Sequence, residues 1–121
     1  MDTQGVIDTI RQSGYETHVY FKNGFLEKVY ENSLANRLRK KGLKVLQQHP
    51  LTVIDEDGSN VGEYFADLFV ESRVIIELKA VQSLNDNHTA QILSYLKASK
   101  IKHGMLLNFG APKFEVRKFI L

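Results

Sequence analysis

The chain contains no cysteine. That excludes disulfides and thiolate metal sites, and it fits a reducing, cytoplasmic setting. No apolar run approaches the roughly 20 residues that a membrane helix needs, so no segment is expected to span a bilayer. The N-terminal residues lack a charged stretch followed by an apolar core, so no secretory signal is expected. The formal net charge is only +2, too small to name a partner. Four histidines, His18, His49, His88 and His103, are scattered without zinc-ligand spacing. No Ser-His-Asp or Cys-His arrangement and no glycine-rich phosphate loop is present. With 121 residues the chain is expected to form one domain with a core of its own.

The charge is ordinary in total but uneven in distribution. Residues 54–86 hold eight acids and two bases, whereas residues 97–121 hold six bases and one acid. Arg37, Arg39, Lys40, Lys41 and Lys44 add a second basic segment. An acidic centre between basic flanks suits a metal-dependent site acting on a polyanion; solvated helix ends and surface strands are the plainer explanation of the same pattern.

The acidic centre contains the most informative stretch, Tyr64 to Ala80. It reads as two apolar strands joined by a short polar turn. Asp67, Glu77 and Lys79 lie inside these apolar runs, and burying unpartnered charges costs several kcal/mol, so the three need a joint explanation. Strand alternation places Glu77 and Lys79 on one face, and Phe65, Asp67 and Phe69 on one face. If the turn is Glu71-Ser72-Arg73, Val70 pairs with Val74 and Asp67 lies opposite Glu77, with Cβ atoms about 5 Å apart. Two carboxylates that close repel unless a proton or a cation lies between them. A hard divalent cation bound by oxygen ligands is the natural occupant, and Mg²⁺ typically takes one or two carboxylates and keeps several waters. A two-residue turn would put Asp67 on the other face, so the site requires an odd-numbered loop. The plain alternative is a strand-end aspartate and a solvated edge pair; the apolar neighbours of Glu77 argue against it.

The remaining elements are read from periodicity. Val6, Ile7, Ile10, Tyr15, Val19 and Tyr20 predict a helix over residues 4–20, with Gly14 as a candidate break. Asn23-Gly24 is expected to open a second helix, Asn23 as its N-cap and Gly42 as its C′ residue. Leu26, Val29, Tyr30, Leu34 and Leu38 form its apolar stripe. Glu27 lies on or beside that stripe, turned to solvent or aimed at something; by itself the solvent reading is the commoner one. Strands are predicted near 45–54, 61–70 and 74–81 as an antiparallel meander, with a turn at Asp55 to Asn60. A helix from about Asn87 to Ser99 carries Ala90, Ile92, Leu93 and Leu96 as apolar positions, with Gln91 and Tyr95 on one face. A buried strand near 101–109 and an edge strand near 114–121 complete the order α-α-β-β-β-α-β-β. The expected class is α/β (α+β), a mixed sheet of about five strands flanked by helices.

With these motifs in place the chain resembles the PD-(D/E)XK nuclease superfamily, which has a restriction-endonuclease-like core. More narrowly it resembles the GxxExxY family, whose motif stands here as Gly24-Phe25-Leu26-Glu27-Lys28-Val29-Tyr30. Gln91-Ile92-Leu93-Ser94-Tyr95 also resembles the QxxxY element of RecB-like nucleases. Ala66 stands where the superfamily name has proline, and Lys22-Asn23 where the narrower family usually has Gly-Pro; neither removes a ligand. The resemblance implies that Asp67, Glu77 and the Leu78 carbonyl bind Mg²⁺, with Mn²⁺ as a substitute, and that Glu27 approaches as a further ligand. It implies that Lys79 holds the attacking water or neutralises phosphoryl charge, and that Gln91 and Tyr95 orient the lysine or contact phosphate. The expected function is phosphodiester hydrolysis in nucleic acid, DNA before RNA, by a homodimer. The alternative is an inactive nucleic-acid- or protein-binding module that keeps the fold.

Overall fold

In the computed structural model, which describes residues 1–121, the elements run α1 (Thr3–Phe21), α2 (Glu27–Lys40), β1 (Val45–Ile54), β2 (Asn60–Val70), β3 (Val74–Lys79), α3 (Asp86–Ser99), β4 (His103–Asn108) and β5 (Glu115–Ile120). The sheet order is β1-β2-β3-β4-β5. Only β3 and β4 pair in parallel, and α3 is the crossover that joins them. This is the mixed five-stranded sheet that the periodicity predicts.

Helices cover both faces. Val6, Ile7 and Ile10 of α1 and Tyr30, Leu34 and Leu38 of α2 share one cluster with Leu68, Val70, Ile76, Leu78, Met105 and Leu107. Ile92, Tyr95 and Leu96 of α3 pack on the other face with Leu51, Ala66, Phe69 and Ile75. Ala90, an expected apolar position of α3, is exposed.

Two expected helix features are corrected. Gly14 does not break α1, which runs unbroken through it. The glycine is buried, and a Cβ there would come within 2.5 Å of the Phe114 ring, so its role is to admit that ring. Asn23 does not cap α2; the helix starts later, at Glu27, with Leu26 at the cap position and no side-chain cap. The intervening loop is held by Tyr30, whose hydroxyl donates to Lys22 O (2.5 Å) and accepts from Phe25 N (3.2 Å). Its ring stacks on Phe109 at 4.8 Å. The other end agrees with expectation. Gly42, with φ 88°, donates to Arg39 O, and Leu43 N donates to Leu38 O, the paired bonds of a Schellman motif.

The two edges of β3 are unlike. Toward β4 the pairing is unbroken over six residues, Val74–Lys79 with His103–Asn108. Toward β2 only Leu68↔Ile76, Phe69↔Ile75 and Val70↔Val74 pair. Val70 opposite Val74 establishes the three-residue turn, in which Glu71 and Ser72 have left-handed φ of 52° and 54°.

The expected alternation of Phe65, Asp67 and Phe69 on one face does not hold. Ala66 and Phe69 both pack against α3, although an odd number of residues apart. On β1, Val45 packs on the α2 side and Leu51 on the α3 side, although an even number apart. Both strands therefore exchange faces between these points. The β1–β2 pairing passes from Gln47↔Leu68 to His49↔Ala66, omitting Gln48 and Asp67. Gln48 has φ 51° there, a left-handed value that costs a non-glycine residue about 1–3 kcal/mol. One residue out of extended conformation is enough to reverse the facing of the strand beyond it.

Candidate active site

Beyond Leu68 and Ile76, strands β2 and β3 part, and the backbone groups they abandon need other partners. The two acidic residues at the fork supply them. Asp67 N donates to Glu77 Oε1 at 3.0 Å, and Leu78 N donates to Asp67 Oδ2 at 2.8 Å. Each carboxylate thus takes a backbone amide of the opposite strand, which draws both into one small space. Glu77 is buried and Asp67 half-buried.

Neither carboxyl has a cation in ion-pair contact; the charge of Lys79 acts on both from farther away and is outweighed by burial. The ion pairs of the chain are Lys28–Glu31 and Lys41–Glu16, so neither Asp67 nor Glu77 has one. Burial first, and then the charge of Asp67, pushes the Glu77 carboxyl up to about 9. Burial likewise raises Asp67, opposed by the hydrogen bonds from Leu78 N and Gln48. Glu27, the first residue of α2, is exposed as a residue, yet its carboxyl is raised by partial desolvation and then by the charge of Asp67. Its carboxyl thus lies within electrostatic reach of Asp67. Two carboxylates at the fork with a third acid nearby, opposed only by the more distant charge of Lys79 and by no ion-pair contact, fit a hard divalent cation. The fit is to a two-carboxylate site completed by water or backbone oxygen, because no group of three or more His, Cys, Asp and Glu side chains converges closely enough to hold a metal.

Lys79 reaches α3 while its charge still acts on the carboxylates. Its Nζ donates to Gln91 Oε1 at 2.7 Å, and Gln91 Nε2 donates to the Tyr95 hydroxyl at 3.2 Å. Gln91 and Tyr95 are one turn apart on α3, so the helix sets this relay. The Tyr95 ring stacks on Tyr64 of β2 at 4.9 Å, and its hydroxyl is raised by burial and by the charge of Glu77. The chain just past Lys79 is fixed by a side chain of β4: Asn108 Oδ1 accepts from Val81 N (3.0 Å) and Asn108 Nδ2 donates to Val81 O (2.9 Å). His88 belongs to the α3 capping box with Asn85.

The structure therefore brings Asp67, Glu77, Lys79, Gln91 and Tyr95 around one fork, with the Leu78 amide in it and Glu27 within electrostatic reach. Sequence reasoning misses two participants. Gln48 Nε2 donates to Asp67 Oδ1 (3.1 Å) and to Glu31 Oε1 (2.7 Å). Glu31 is buried, and its Oε2 accepts from Lys28 Nζ (2.8 Å) and Gln47 Nε2 (2.7 Å). An available signal for Glu31 is its spacing: it lies one turn after Glu27, on the same side of α2. Gln48 has none, because a polar residue before His49-Pro50 reads as ordinary strand.

Comparison with known proteins bears on the family and the fold. A family model for the PD-(D/E)XK nuclease superfamily matches residues 4–119. The crystal structure of a protein designated SSO0001 aligns with a TM-score of 0.60 and 17% identity, covering 77% of this chain and 50% of that one. The chain thus spans about half the length of that protein, and at this identity the two share the fold. No curated protein matches the chain. The sheet and helices are those of a restriction-endonuclease-like α+β fold.

Proposed function

Because this chain belongs to the PD-(D/E)XK nuclease superfamily, we propose that it is a Mg²⁺-dependent nuclease that hydrolyses phosphodiester bonds in DNA. The observation that carries the reading is the Asp67–Glu77 pair, crossed over the fork of β2 and β3 without a cation in ion-pair contact. Asp67, Glu77 and the Leu78 carbonyl are the proposed ligands of the cation, with Glu27 reaching it directly or through water. When bound there, a divalent cation polarises the phosphoryl group and lowers the pKa of a coordinated water.

The protein's own groups do the rest. An ammonium has three donors; in Lys79 one is held by Gln91, which leaves two for a water or a phosphoryl oxygen. Tyr95 takes the Gln91 amide nitrogen and so keeps the amide oxygen turned to the lysine. Lys79 then stabilises charge that develops on the phosphoryl oxygens, a role that needs a fixed donor more than a strong one. The narrower kinship to the GxxExxY family, a single nuclease-like domain over residues 1–121, a cytoplasmic setting and a homodimer belong to the same proposal. A monomer in light scattering would remove the last.

Purified protein is tested with linear, circular and single-stranded DNA and with RNA, in Mg²⁺ or Mn²⁺. Cleavage that is metal-dependent and lost in Asp67→Ala and Lys79→Ala supports the reading. Cleavage unchanged in both variants would assign it to a contaminant.

The absence of a converging three-acid cluster favours one other reading, an inactive module that binds nucleic acid or protein. It is distinguished by calorimetry: no Mn²⁺ binding at millimolar concentration, with salt-sensitive DNA binding retained, selects it.

A further inference from the structure

We propose that Gln48 and Glu31 are positioning residues that hold Asp67 in its ligand geometry, an inference that rests on the cation reading above. A glutamine in the middle of a strand has no local reason to adopt φ 51°, and the neighbouring residues on both sides stay paired to β2. An observed departure of this kind is held in place by its surroundings. Here the hold comes through the residue's own side chain. The amide nitrogen of Gln48 carries two hydrogens, and each is used, one on Asp67 Oδ1 and one on Glu31 Oε1.

Glu31 is the anchor of this pair. It is buried on α2, and three donors fix it: Gln48 on one oxygen, Lys28 and Gln47 on the other. The amide of Gln48 is thereby aimed from a rigid helix at a strand residue. With Leu78 N on Oδ2 and Gln48 on Oδ1, both oxygens of Asp67 are fixed in direction, and each keeps a lone pair free for a cation. The donor is also neutral. A lysine or arginine at position 48 could make the same hydrogen bond but would cancel the charge that draws the cation. A neutral donor orients the carboxylate and leaves its charge intact. Groups that orient a metal ligand in this way are typically worth about 10–100-fold in metal affinity.

The geometry also explains why the strands exchange faces at this point. In a regular strand Gln48 could not turn its side chain to both α2 and Asp67, so the left-handed residue and the relay are one device.

The test is Gln48→Gly, because glycine accepts φ 51° without penalty, so that the loss of the side chain and its two hydrogen bonds adds no backbone strain. Mn²⁺ affinity is measured by calorimetry and Tm by thermal melting, for wild type, Gln48→Gly, Gln47→Ala and Asp67→Asn. The expected result is Mn²⁺ binding weakened about tenfold in Gln48→Gly, with Tm unchanged or higher. Gln47→Ala, which removes one of the three donors on Glu31 but leaves the bond from Gln48 to Asp67, should weaken binding less than Gln48→Gly does. DNA cleavage by Gln48→Gly should recover at high Mn²⁺ with the KM for DNA unchanged. Wild-type Mn²⁺ affinity in Gln48→Gly, while Asp67→Asn loses binding, would overturn the role of Gln48 and leave the cation reading standing. Lowered Tm with unchanged affinity would make Gln48 merely structural and would overturn it too. No Mn²⁺ binding in wild type would end both.

Discussion

The two edges of β3 hold the same strand in opposite ways. On the β4 edge the ladder is complete through Lys79, and the chain beyond it is fixed by the Asn108 side chain. On the β2 edge the ladder stops at Ile76, and two carboxylates take over the amides left behind. One edge makes the strand rigid; the other opens it where acidic groups must meet. The difference shows how a sheet can present buried charge: the cost of opening the ladder is offset because the carboxylates themselves satisfy the freed donors.

The sharpest way to break this comparison is to empty the open edge. Lys79→Ala should lower DNA cleavage by at least about a hundredfold, as is usual for loss of one charge-stabilising donor, while Tm changes little. A steady-state assay in Mg²⁺ beside a melting curve checks both. The complementary change on the closed edge is Leu107→Ala. This residue is fully buried in the core of the α1–α2 face, and its truncation should cost about 2–5 kcal/mol in urea denaturation. A large loss of cleavage per folded molecule in that variant would contradict the division of labour.

The pH dependence should also track the open edge. The folded Glu77 carboxyl titrates at about 9 and an unfolded one near 4.5. Its contribution to metal-free stability is therefore full below about 4.5 and is lost as pH rises toward 9, because only the unfolded chain releases the proton in that window. Glu77→Gln should flatten the fall of Tm between about pH 5 and pH 9. Added Mn²⁺ should raise Tm more at about pH 8 than at about pH 6, since the cation needs the ionised form. A wild-type Tm that rises across that window without metal would contradict the assignment.

A smaller effect tests the far support of the fold. Gly14→Ala should cost about 1–3 kcal/mol, because the new methyl meets the Phe114 ring, and should leave Mn²⁺ affinity untouched. Urea denaturation beside calorimetry checks both.

Much of the fold and of the site was legible in the residues. The odd-numbered turn at Glu71-Ser72-Arg73 fixes Val70 against Val74, and simple counting from there brings Asp67 to Glu77. The QxxxY spacing on α3 likewise anticipates the Lys79–Gln91–Tyr95 relay. The rest was hidden for physical reasons. Asn23 has the chemistry of an N-cap, but Tyr30 ties the loop through Lys22 and Phe25 and moves the helix start to Glu27. Gly14 looks like a helix break because its real constraint, the Phe114 ring, comes from the far end of the chain. The reversal of facing at Gln48 depends on a single backbone angle set by side chains on α2 and β2, and strand periodicity does not register it.

The central claim is a cation held at the fork, and a crystal soaked in Mn²⁺ addresses it directly. The predicted result is an anomalous peak about 2.0–2.3 Å from carboxylate oxygens of Asp67 and Glu77, near the distances hard cations adopt with oxygen ligands. A peak elsewhere, or none while DNA still binds, would contradict it.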